Sequence, residues 1–231
     1  MKIEGKKLKA TFLKRLNRFE AQVLLNGEVI TVHIPNSGRL KELLLPGVEV
    51  ILLLSKNKKR KHEYDIILVE KDSNLVSIDS ILPSKLAVEE IKKGALAPFF
   101  NELKYVKTEV RYKESRFDIG LGTGDFVNYF LEVKGVTLVE EGIALFPDAP
   151  TKRGTKHLKH LIEAKKEGYG AGVLFIVQRK DAATFSPNAA MDRDFAEELI
   201  HAKNAGVDVL AFNCEVELDN ICIKEKIKVV I

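Results

Sequence analysis

The chain has no tryptophan and only two cysteines, two methionines and two glutamines in 231 residues. Cys214 and Cys222 lack the spacing of a metal knuckle or a redox pair, so no disulfide framework or zinc site is expected, and the thiols suit a reducing compartment. Long apolar runs are also missing. Val50–Leu54 is far too short to cross a bilayer. The first residues, Met1 to Asn17, alternate lysine with apolar residues and carry no apolar signal core. These features predict a cytoplasmic protein with no membrane association. Internal repeats and low-complexity segments are absent too.

What remains is a chain that is 45% hydrophobic and 30% charged, enough for a substantial core beneath a solvated surface. The net charge of +4 is unevenly placed. Residues 1–80 hold 15 Lys and Arg against 10 Asp and Glu; residues 81–231 hold 22 against 23. The basic excess therefore lies in the N-terminal part, which favours a polyanionic partner there.

Two textures divide the chain near residue 80. Residues 1–80 read as short strands: Leu8–Leu13, Ala21–Leu25, Val29–Ile34, Val48–Leu54, Tyr64–Val69 and Leu75–Ile78. Asn26-Gly27 between two apolar runs is a hairpin signal. Five or six short strands in this space predict an OB-like barrel, with a short helix over Leu40–Leu45. Residues 81–231 predict a mixed α/β domain. A helix over Lys85–Lys93 leads into strands Tyr105–Tyr112, Arg116–Leu121 and Phe126–Lys134. The amphipathic helix Thr151–Glu167, the strand Gly172–Gln178 and the helix Arg193–Asn204 capped by Asp192 follow. Strands Val207–Phe212 and Ile221–Val230 end the chain.

The candidate site lies on the strands around Asp118 and Glu132. Val127, Tyr129, Leu131 and Val133 alternate with Asn128, Glu132 and Lys134; Phe117, Ile119 and Leu121 alternate with Arg116, Asp118 and Gly120. Side chains alternate faces along a strand, so a hairpin centred near Asp125 sets Asp118 opposite Glu132, with Lys134 on the same face. Two carboxylates so placed suit a hard cation, Mg²⁺ or Mn²⁺, with room for water and a phosphate oxygen. A neighbouring lysine suits the developing negative charge. Glu109 has the parity of a further metal ligand, and Glu90 is an alternative on the preceding helix. The bland reading is a solvated charged face, since Glu-x-Lys is common in charged chains. Matched parity on both strands weighs against it. Pro147-Asp148 follows Glu132 and so cannot supply the first carboxylate in the expected order; it is assigned to the loop before the next helix. The glycines of Gly120–Gly124 precede no helix, which argues against a nucleotide-binding loop.

DNA contacts are expected from the basic loop Lys56–His62, chiefly Lys58, Lys59, Arg60 and Lys61, from Arg39, and from Arg153, Lys156 and His157 on one helix. Arg15 and Arg18 extend the patch, His160 lies on the helical side, and Phe12 and Phe19 are candidates for base stacking or for the core.

The sequence resembles the SfsA (sugar fermentation stimulation) family along nearly its whole length. The resemblance is carried by Ile34-Pro35-Asn36-Ser37-Gly38-Arg39-Leu40, Leu45-Pro46-Gly47, Arg116-Phe117-Asp118 and Leu131-Glu132-Val133-Lys134-Gly135-Val136-Thr137-Leu138. It continues through Phe146-Pro147-Asp148-Ala149-Pro150-Thr151, Arg153-Gly154, Lys156-His157-Leu158 and Phe175-Ile176-Val177-Gln178-Arg179. It implies an OB-like domain joined to a restriction-endonuclease-like domain of the PD-(D/E)xK type, and sequence-independent DNA binding. It also implies a regulatory role in sugar (maltose) metabolism. Nuclease-type residues map onto Asp118, Glu132, Lys134 and Gln178; Phe117 stands where the motif has proline. The expected activity is Mg²⁺-dependent hydrolysis of DNA phosphodiesters, the alternative a non-catalytic DNA-binding regulator. An RNA-binding barrel is a weaker third reading, and homo-oligomerisation stays open.

Overall fold

A computed structural model describes residues 1–57, 59–94, 96 and 105–231. The first six strands are β1 (Lys7–Asn17), β2 (Glu20–Leu25), β3 (Glu28–His33), β4 (Glu49–Leu54), β5 (Tyr64–Lys71) and β6 (Asn74–Ser77). They pair in the order β3-β2-β1-β4-β5-β6, and a bridge between His33 and Asp65 joins β3 to β5 and closes a five-stranded barrel. The β2–β3 hairpin turns at Asn26 and Gly27, both at positive φ (51° and 88°), the conformation that a two-residue turn demands. Inside, Phe12, Val23, Val32, Leu52 and Ile66 form the barrel core. Leu40–Leu45 makes only a single turn, with the Leu44 amide on the Leu40 carbonyl, because Pro46 and Gly47 leave no room to extend a helix.

The C-terminal part contains α1 (Leu82–Lys92), β7 (Tyr105–Tyr112), β8 (Ser115–Gly122), β9 (Tyr129–Val136), β10 (Val139–Glu140), β11 (Ile143–Phe146), α2 (Lys152–Lys166), β12 (Gly170–Val177), β13 (Thr184–Pro187), α3 (Arg193–Asn204), β14 (Asp208–Val216), β15 (Ile221–Lys226) and β16 (Lys228–Val229). Helix α1 begins earlier than the sequence suggests, since Pro83 in its first turn needs no hydrogen-bond partner for its nitrogen. The central sheet runs β15-β14-β12-β9-β8-β7. Strands β9, β12 and β14 are parallel, as the near-continuous apolar β12 requires of a strand covered on both faces. A second, four-stranded sheet, β10-β11-β13-β16, has no signature in the sequence, because its strands span two to four residues, too few to show a period.

The two faces of the central sheet are covered differently. Helices α2 and α3 lie over one face, around Phe117, Phe130, Leu158, Phe175 and Phe195. Over the other lie α1 and the barrel itself. There Ile51, Ile67 and Leu68 of the barrel share one apolar cluster with Leu86, Leu131, Leu174 and Ile176. Backbone bonds reinforce the joint: Ser77 N–H donates to the Gln178 carbonyl at 3.0 Å, and Ile3 N–H to the Asp219 carbonyl at 2.9 Å. Among the described residues no helix is long and apolar enough to cross a membrane.

Candidate active site

The β8–β9 ladder pairs Leu121 with Tyr129, Gly120 with Phe130 and Ile119 with Leu131, then stops. That register centres the hairpin on Asp125, and one further step brings Asp118 level with Glu132. The strands separate at this point. The Val133 amide donates to Asp118 Oδ2 at 2.8 Å, so a carboxylate occupies the gap where a strand partner ends. The Ser84 hydroxyl of α1 donates to Asp118 Oδ1 at 3.3 Å.

Strict alternation along β8 does not hold. Phe117 packs with Val110 on the α2 side, whereas Ile119 and Leu121 pack on the α1 side. The cause lies next door. Glu109 has φ +58°, and the β7–β8 ladder skips the Glu109–Asp118 pair. Both strands change faces there. Asp118 consequently turns toward the opening and α1, while Glu132 faces α2.

Glu132 is almost wholly buried (3% exposed). Its Oε1 receives His157 Nδ1 at 2.5 Å and the Lys134 ammonium. Arg153 Nε donates to His157 Nε2 at 3.4 Å, which leaves the ring proton on Nδ1, pointing at Glu132. Burial pushes the Glu132 carboxyl up, but the Lys134 charge and the His157 bond together outweigh it and hold the group below its ordinary range. Asp118 moves the other way. Burial first, then the charge of Glu132, push it up from 3.8 to about 6.

Glu132 Oε2 is buried with no hydrogen-bond partner. A buried carboxylate oxygen left bare beside a second carboxyl that resists ionisation is the donor chemistry a divalent cation satisfies. Asp118 and Glu132 would hold it. No cluster of three or more His, Cys, Asp or Glu donors occurs among the described residues, so water would complete the shell, as Mg²⁺ favours.

Other expected residues lie elsewhere. Glu109 is exposed, ion-paired with Arg116 at 2.5 Å, and lines the recess in front of Asp118 with Ser84 and Lys85. Glu90 points away from the site, bonding Lys93 at 3.0 Å. Gln178 has no hydrogen bond to Asp118, Glu132 or Lys134 among the described residues; its amide lies beside Gly135 on the floor of a cleft between the domains. His157, expected on a DNA-facing surface, is 4% exposed and serves the Glu132 carboxylate instead. The sequence carried that signal: Gly154, His157, Leu158 and Leu161 form one apolar helical stripe. Ser84 had no comparable signal.

The basic segments are partly neutralised within the barrel. Arg60 makes a two-pronged bond to Asp65 (2.8 and 2.9 Å), and Lys61 bonds Glu20 at 2.6 Å. Lys59 is exposed, and Lys58 lies outside the described residues. Arg15 does not extend the patch; its guanidinium ties down the carbonyls of Arg18, Gly38 and Arg39 at 2.6–2.7 Å. Arg18, Arg39, Lys152 and Arg153 are exposed, and Lys156 pairs with Glu114 at 3.0 Å. Phe12 is core; Phe19 is exposed and stacks on His33 with ring centroids 6.4 Å apart. Asp148 sits in the loop before α2, where Oδ2 accepts the Arg39 amide at 2.7 Å and the Leu40 amide at 3.4 Å, fastening barrel to sheet domain.

Comparison with known proteins agrees with this layout. Residues 13–78 match the model of the SfsA N-terminal OB domain, and residues 81–220 that of the sugar fermentation stimulation protein RE domain. The chain is 46% identical over 223 residues to a sugar fermentation stimulation protein homolog of Clostridium tetani, covering 96% of each chain. It is 46% identical over 233 residues to the homolog of Clostridium acetobutylicum, covering 100% of each. Among solved structures, Pyrococcus furiosus SfsA in complex with Ca²⁺ superposes with a TM-score of 0.89 at 30% identity, over 100% of this chain and 98% of that one. With both of its halves matched in order and relatives this similar over their full length, the chain belongs to the SfsA family.

Proposed function

We propose that the protein binds DNA with little sequence preference and hydrolyses its phosphodiester bonds at Asp118, Glu132 and Lys134, with Mg²⁺ or Mn²⁺ bound. The observation that carries this reading is the Glu132 carboxylate: one oxygen held by His157 and Lys134, the other buried without a partner, and its charge felt by Asp118 on the neighbouring strand. The metal would supply an activated water and a positive centre for the phosphate. Asp118 and Glu132 would hold it. His157, steadied by Arg153, fixes the Glu132 carboxylate. Lys134 would offer its ammonium to the negative charge that grows on the phosphate. The solved relative with Ca²⁺ supports a cation-binding role, since Ca²⁺ shares the preference for oxygen ligands. Exposed Arg39, Lys152 and Arg153 supply phosphate contacts.

A second reading, a DNA-binding regulator without turnover, is favoured by one feature: the Lys134–Glu132 pair neutralises itself in the absence of a cation. Incubating the full chain with plasmid and single-stranded DNA, with Mg²⁺, Mn²⁺ or chelator, separates the two. Metal-dependent cutting should fall at least about a hundredfold in Asp118→Ala and in Lys134→Ala. DNA retained in a shift assay with no cutting under any metal would leave the regulator.

A further inference from the structure

The outer face of the β2–β3 hairpin is exposed and carries a mixed pattern of side chains. Ala21, Val23 and Val32 point into the barrel, so Glu20, Gln22 and Leu24 of β2 and Val29, Thr31 and His33 of β3 point outward. The register sets Glu20 beside His33, Gln22 beside Thr31 and Leu24 beside Val29. These three rungs run about 13 Å along the strands. The far rung is apolar and open, with Leu24 38% and Val29 57% exposed.

Phe19, in the turn before β2, lengthens this face at the other end. It is 47% exposed and stacks on His33, with ring centroids 6.4 Å apart and 21° between planes. Its backbone is fixed. The Phe19 N–H donates to Asn17 Oδ1 at 2.9 Å, and its carbonyl accepts from the Ile34 N–H at 2.8 Å. Arg15 holds the Arg18 carbonyl next to it at 2.6 Å. His33 is held in turn, with Nδ1 2.6 Å from Asp65 Oδ1. A ring already locked in place loses little freedom when another flat ring lies on it.

The charges around Phe19 narrow the partner. Lys61 and His62, from the loop between β4 and β5, both bond Glu20, and Arg60 bonds both oxygens of Asp65. That basic loop is thereby drawn against the Phe19 end, and both carboxylates there are committed. Arg18 and Lys59 are exposed and, among the described residues, have no ion pair or side-chain hydrogen bond. Gln22 and Thr31, on the middle rung, likewise make no side-chain hydrogen bond among the described residues. A polyanion that also offers flat rings with polar edges meets the ring, the cations and the middle rung together. A duplex keeps its base faces inside the stack and would meet the cations alone. A protein partner calls for a continuous apolar centre, which the Gln22–Thr31 rung interrupts.

We propose that this face binds single-stranded DNA, with one base stacked on Phe19, the following bases along the Gln22–Thr31 and Leu24–Val29 rungs, and phosphates on Arg18 and Lys59. This rests on the DNA binding proposed above and narrows it to unpaired strands; it does not need the cutting step.

The test is fluorescence anisotropy of the full chain with a labelled oligothymidylate of about 12 nucleotides, an abasic strand of equal length and a duplex of equal length, in chelator so that nothing is cut. Oligothymidylate should bind at least about tenfold tighter than either of the others. Phe19→Ala should weaken oligothymidylate about tenfold and leave the abasic strand and the duplex unchanged, whereas Phe19→Trp should keep the binding. Val29→Asp, at an open position, should weaken oligothymidylate severalfold with Tm unchanged. Equal binding of oligothymidylate and the abasic strand, or undiminished oligothymidylate binding by Phe19→Ala, would overturn the proposal. So would self-association in sedimentation that Phe19→Ala abolishes without any preference among the DNAs, which would give the face to a second copy of the chain. Base-dependent binding through Phe19 with no cutting under any metal would keep this face and discard the nuclease. Metal-dependent cutting without base-dependent binding would do the reverse, and absence of all DNA binding would end both.

Discussion

Asp118 and Glu132 are pushed in opposite directions: the Lys134 charge and the His157 bond outweigh burial at Glu132, whereas at Asp118 burial and the Glu132 charge outweigh the bonds from Val133 and Ser84. The raised Asp118 value has a definite sign for stability. The folded protein holds this proton more tightly than the unfolded chain does. Its contribution is therefore complete below about pH 4 and is lost as pH rises through about 6. Above that the ionised carboxylate costs about 2–3 kcal/mol in the metal-free protein. Asp118→Asn should thus raise Tm relative to the parent by a margin that widens from pH 4 to pH 7 in chelator. A margin that narrows over that range would mean that the surroundings favour the charged form. His157 makes a separate prediction. His157→Ala removes the fixed donor to Glu132 and should weaken cation binding about 10–100-fold, measured by Ca²⁺ titration. Unchanged affinity would reduce the histidine to packing. At this scale the sequence was informative where pattern governs, as at Glu132 and Lys134. It misled where a single residue breaks the pattern. Glu109 at positive φ cannot be read from alternation, so the turn of Asp118 toward α1 was hidden.

The elements explain why the site exists where it does. Strand β9 is held along its whole length by β12 but leaves β8 after Leu131, and that departure makes the opening. Helix α1 keeps it in shape. A Cβ on Gly135 would lie 2.7 Å from Pro83 Cγ, so only glycine lets the helix start seat against β9. Gly135→Ala should cost about 1–3 kcal/mol by denaturant unfolding and disturb Ser84 and Gln178 together. A neutral effect would show that α1 has slack. The long elements were legible because burial imposes a period: helix Arg193–Asn204 and strand Tyr105–Tyr112 match their expected bounds, and the register about Asp125 followed from turn residues. Strands β10, β11, β13 and β16 were not, since each takes its conformation from pairing with distant segments.

For the whole molecule, the sequence suggested two textures but not how they join. The barrel lends Ile51, Ile67 and Leu68 to a cluster that also seats α1 and the central sheet. Asp148 and Gln178 add polar fastenings across the same joint. Such long-range packing leaves no mark on local periodicity. The protein should consequently unfold in one step, with the calorimetric enthalpy equal to the van't Hoff value. Two resolved transitions would show that the halves hold together on their own. The shared wall has a further consequence for any attempt to study the parts. A fragment cut near residue 80 would carry half of a greasy seam into water, prone to stick to its own kind. What such a fragment did to DNA in the test tube would reflect that exposed seam as much as the parent protein.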